Sequence, residues 1–90
     1  MPLQTPNDPY ALALAALAAT VSDESRAQRF LALTGIETDD LRRRAAEPAL
    51  LASLIGFLEA HEPDLVAVCN EVGIKPEALV QARREIEGKA

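Results

Sequence analysis

The sequence is short of most residues that carry chemistry or build sheets. Its 90 residues include one cysteine, one histidine, no tryptophan, one tyrosine and two phenylalanines. A lone cysteine cannot form an internal disulfide framework, and a lone histidine argues against a zinc or triad site. The β-branched and aromatic residues that favour strands are sparse. No Walker loop, dinucleotide glycine fingerprint, HExxH or GxSxG occurs. Lys and Arg are missing from Met1–Pro9 and again between Arg44 and Lys75, where Glu47, Glu59, Glu62, Asp64 and Glu71 all fall. The first gap removes the basic region a signal peptide needs ahead of the apolar run Tyr10–Val21, and that run is shorter than the ~20 residues that cross a bilayer. A cytoplasmic setting with Cys69 as a free thiol is expected.

Alanine and leucine fill the space: 17 Ala and 13 Leu stand beside 5 Val and 4 Ile. Both are strong helix formers, so the composition predicts an all-α protein. A chain this short buries only ~60–65% of its unfolded surface, which allows one core. The net charge of −5 argues against non-specific attraction to nucleic acid or an anionic membrane.

The turn chemistry predicts a compact bundle of five to six short helices. Residues 1–7 read as a flexible lead-in and 8–88 as a single helical domain. Asp8 caps a first helix with Pro9 in its opening turn, running to about Val21. Tyr10, Leu14, Leu17 and Val21 form one stripe of it, and it has no charged face, so it should be central or covered by a partner. Ser22 or Asp23 caps a second helix, with Ala27, Phe30, Leu31 and Leu33 inward, Arg26 and Arg29 off that stripe, and Gly35 at its end. A third starts at Thr38. Proline after Glu47 opens a fourth to about Ala60, and proline after Glu62 opens a fifth, with Leu65, Val68, Cys69 and Val72 inward and Gly73 at its end. Pro76 opens a sixth, with Leu79, Ala82 and Ile86 inward and Gly88 closing it. Gly35-Ile36 and Gly73-Ile74, each followed five residues later by a leucine (Leu41, Leu79), form two helix–Gly-Ile–helix corners.

Through Arg29-Phe30-Leu31-Ala32-Leu33-Thr34-Gly35, Asp40-Leu41-Arg42, the Phe57-Leu58 segment and Gly73-Ile74-Lys75-Pro76-Glu77-Ala78-Leu79, the chain resembles a family of small alphaproteobacterial proteins catalogued only as a domain of unknown function. The similarity spans roughly residues 8–86. The resemblance implies a cytoplasmic bacterial helical protein and brings no activity, cofactor or catalytic residue with it.

Residue chemistry points away from catalysis. His61, placed in the last turn of the fourth helix, has no second His or Cys at helical spacing, and Cys69 lies on an apolar stripe where a thiol is inert. No catalytic, cofactor-binding or metal-binding residue is therefore assigned. Protein contact is the favoured function, as a small adaptor or regulatory protein, with the chain a monomer or weak homodimer. Ala52, Gly56 and Ala60 recur every four residues with Ala49 and Ser53 beside them. A mid-helix glycine costs ~1 kcal/mol, so Gly56 should have a packing reason. The groove is expected to admit a helix at close range, either the alanine-rich first helix or another chain. The candidate contact residues are Leu12, Ala15, Ala49, Ala52, Gly56 and Ala60. The alternative is a weak helix-turn-helix-like nucleic-acid binder using Arg26, Arg29, Arg42, Arg43 and Arg44. Against it, Asp39 and Asp40 occupy the start of the second helix of the corner, where bases are approached.

Overall fold

Aspartate and proline set the helix starts. A computed structural model describes residues 8–89, so the lead-in over residues 1–7 lies outside the described residues. The described residues form six helices: α1 (Pro9–Val21), α2 (Glu24–Thr34), α3 (Thr38–Arg43), α4 (Pro48–Glu59), α5 (Glu62–Val72) and α6 (Pro76–Lys89). Asp8 accepts from the Tyr10 amide at 2.9 Å and Asp23 from the Arg26 amide at 2.9 Å, each satisfying an amide that the first helical turn cannot. No strand occurs among the described residues, and the protein is all-α.

The two Gly-Ile corners share a geometry. Gly35 and Gly73 both adopt the left-handed conformation, at φ 73° and 84°, and their amides close onto Leu31 and Cys69 carbonyls at 2.8 Å. Ile36 and Ile74 pack against the core, and Leu41 and Leu79 enter it as the next helices begin.

The core is one cluster. α4 supplies most of it, through Leu50, Leu51, Ala52, Leu54, Ile55, Phe57 and Leu58. α4 packs on α6 and α1, α1 also packs on α6, α5 and α2, and α5 closes against α4 and α6. α2 enters with Phe30, whose ring meets Phe57 edge-on at 5.3 Å. The α6 residues Leu79, Ala82 and Ile86 are all buried. The radius of gyration is 12.2 Å, about the value of a fully collapsed chain of this length.

Five local expectations are corrected. The buried face of α1 is Pro9, Leu12, Ala13, Ala16, Leu17 and Thr20, so Leu14 and Val21 of the expected stripe are on the surface. No side of α1 carries a charge, and small Ala13 and Ala16 are fully buried. Thr20 is tolerated there because its hydroxyl donates to the Ala16 carbonyl at 2.7 Å. Leu33 is 71% exposed, while Arg26, assigned off the inward stripe, is buried by ion pairing. His61 is the residue before α5 rather than the last turn of α4: its carbonyl accepts from Asp64 and Leu65. Finally, α6 runs through Gly88 to Lys89.

Candidate functional site

The outer side of α4 is built from small residues because its large ones all point into the core. Ala49, Ala52, Ser53 and Gly56 line an open groove of about 540 Å³ with Pro48, Glu59 and the α6 residues Arg83, Ile86 and Glu87. Beyond its chain neighbours and the backbone of its own helix, a Cβ at Gly56 would have no atom of the described residues within 4 Å. The expected packing reason for Gly56 is therefore absent within the described fold, and α1, the expected intramolecular occupant, packs elsewhere on α4. A second depression of about 290 Å³ shares Ala49 and Ser53 and carries the groove towards Thr34, Ile36 and Arg44. On the groove's α6 wall, Arg83 donates to both Glu59 oxygens and, at 2.8 Å, to Glu87. The Glu59 hydrogen bonds push the Arg83 guanidinium above its ordinary pKa. This fixed ion cluster gives the groove a polar lip beside an apolar floor.

Of the six expected contact residues, Ala49, Ala52 and Gly56 line this groove. Ala60 is exposed beyond the end of α4, Leu12 is in the core, and Ala15 is half-buried on α1. Leu12 is unavailable to a partner because α1 turns that side inward. The contributions of α6 escaped sequence reasoning; the Arg83/Glu87 spacing of four residues was the available signal for an exposed helix edge there.

A second groove lies where α1 turns its exposed side towards α2 and α3. One depression of about 220 Å³ is lined by Leu14, Leu17, Ala18, Val21, Leu41, Arg42 and Ala45. The adjoining one, about 280 Å³, shares Val21, Leu41 and Arg42 and adds Ala27, Leu31 and Thr38.

The five arginines of the nucleic-acid alternative are not equivalent. Arg29 grips Asp64 through two hydrogen bonds, 2.5 and 3.2 Å, and Arg26 donates to Glu71 at 2.9 Å. Arg43 pairs with Asp40, and Arg44 with Glu47. Among the described residues, Arg42 is the member of this set without an ion pair. The acidic middle of the sequence is thereby largely spoken for: Glu47, Glu59, Asp64 and Glu71 each have an arginine from outside the span or from its edge. The hydrogen bonds from Arg29 hold the Asp64 carboxyl below the usual carboxylate range, against the opposing effect of burial.

Burial pushes the Cys69 thiol up, with Glu77 adding to the effect. His61 is exposed. Among the described residues, no group of three His, Cys, Asp or Glu side chains could hold a metal ion, and no helix is long and apolar enough to cross a membrane.

A family model described as a protein of unknown function (DUF3572) matches residues 6–89. No curated protein and no solved structure matches the chain.

Proposed function

The chain belongs to the DUF3572 family of proteins of unknown function, and from that premise we propose that it is a small cytoplasmic adaptor or regulatory protein that holds another protein's helix in the groove between α4 and α6. Gly56 carries this reading. A glycine in a helix interior costs about 1 kcal/mol relative to alanine, and among the described residues no neighbour from another element lies within 4 Å to require it here. A residue that weakens the helix without serving its packing fits a use outside the fold. With Ala52, Ala49 and Ser53 it makes a floor over which a second backbone can come close, since helix separation follows the size of the contact side chains. The Arg83 cluster at the lip supplies polar groups to fix the occupant's register.

The test is affinity capture from source cells with the wild-type chain and with Gly56→Leu. Open space around Gly56 lets the leucine fold in place and fill the groove, which circular dichroism and thermal melting check. A partner retained by the wild type and lost by the folded variant is the expected result. A partner set identical for both chains, or none for either, overturns the proposal.

A further inference from the structure

We infer that the face formed by α1, α2 and α3 is a second docking groove, and that its occupant is an amphipathic helix of a partner protein bearing a carboxylate that pairs with Arg42. The two depressions on this face adjoin through Val21, Leu41 and Arg42. α1 contributes Leu14, Leu17, Ala18 and Val21, at i, i+3, i+4 and i+7. That is a two-turn ridge about 10 Å long. Leu14 and Val21 remain 41% and 40% exposed, and no charge on α1 explains why a helix should leave them in water.

The shape and the charge select the occupant. The face is an open trough, whereas a small ligand is bound by burying ~70–90% of its surface. A helix needs to bury only one side, and recurring apolar anchors at i, i+3, i+4 and i+7 are how such grooves are filled. Ala18 and Ala45 leave room between the larger side chains for those anchors. Among the described residues, Arg42 is the only ionisable side chain lining either depression. Asp39, one turn earlier on α3, forms no ion pair with it, while Arg26, Arg29, Arg43 and Arg44 all have carboxylate partners. Covering an unpaired guanidinium with an apolar helix is costly; covering it with a helix that brings a carboxylate replaces lost hydration with a charge-assisted pair.

The test is selection of a display library of helical peptides on the wild-type chain with counter-selection on Leu14→Asp, whose exposed position keeps the variant folded. Recovered peptides should share an apolar i, i+3, i+4, i+7 pattern flanked by Asp or Glu. Replacing that acid by its amide should weaken wild-type binding about tenfold, as the loss of one charge-assisted hydrogen bond would. Arg42→Gln should bind the acid and amide peptides alike. Gly56→Leu should bind them as the wild type does, which keeps this groove separable from the one between α4 and α6. The inference fails if no peptide survives the counter-selection or if the acid-to-amide change has no effect on the wild type. It also fails if sodium laurate, and no peptide, shifts the amides of Leu14, Val21 and Arg42, since that marks an amphiphile site.

Discussion

Replacing Gly56 by alanine should stabilise the protein. The position is in the interior of α4, where alanine is favoured over glycine by about 1 kcal/mol because the glycine backbone gives up more freedom on folding. Two effects could offset this gain, a clash of the new methyl or a distortion of the backbone. Neither applies: beyond its own helix backbone and chain neighbours the added Cβ has no atom of the described residues within 4 Å, and Gly56 is not among the glycines with positive φ. Nor does the methyl gain burial, so the propensity difference should appear almost undiluted. For a domain of this size about 1 kcal/mol corresponds to a rise in Tm of about 4–8 °C. Urea unfolding followed by circular dichroism should show the midpoint moving up with an unchanged slope, since the surface exposed on unfolding is nearly the same. An unchanged or lowered midpoint would refute the reasoning, because it would mean that the chain's own atoms occupy the space beside Gly56.

The same substitution at Gly73 should act with the opposite sign, costing about 1–2 kcal/mol in the same assay, because φ there is 84° and a side chain crowds the backbone in that region. Asp64→Asn should flatten the acid limb of stability. The folded carboxyl titrates below its ordinary pKa of about 3.9, so its contribution is fully present above that value and is lost as pH falls through the folded pKa. Wild type and variant should therefore differ at neutral pH and converge in strong acid; a constant gap would contradict the Arg29 pairing. Cys69, buried with a raised pKa, should resist a thiol reagent in the native protein and react as one thiol in denaturant. Rapid native labelling would show that α5 opens.

The helix ends were legible because they depend on residues a few positions apart. Asp8, Asp23 and the prolines at 9, 48, 63 and 76 announce starts by supplying or dispensing with amide partners, and Gly35 and Gly73 announce stops by permitting positive φ. The His61 error is one such signal read slightly late, because Pro63 sits in the second rather than the first position of α5. The face of α1 was not legible, since a helix that is apolar on all sides has no period to reveal its inward direction. The burial of Arg26 was equally hidden: its partner Glu71 is 45 residues away, and no local pattern marks an arginine that a distant carboxylate will draw inward. For the candidate site, the repeat of small residues on α4 pointed to the groove floor. Its wall came from α6, on the far side of two connections, and the vacancy beside Gly56 depends on where every other helix goes.

The claim that the α4–α6 groove receives a partner helix is tested most directly by photo-cross-linking in source cells from a reactive residue placed at Ser53, on the groove floor, with Glu85 on the exposed surface of α6 as the control position. A discrete cross-linked protein from position 53, missing from position 85 and abolished by Gly56→Leu, is the predicted result. Cross-links that are the same from both positions, or a position 53 that yields none, would contradict it.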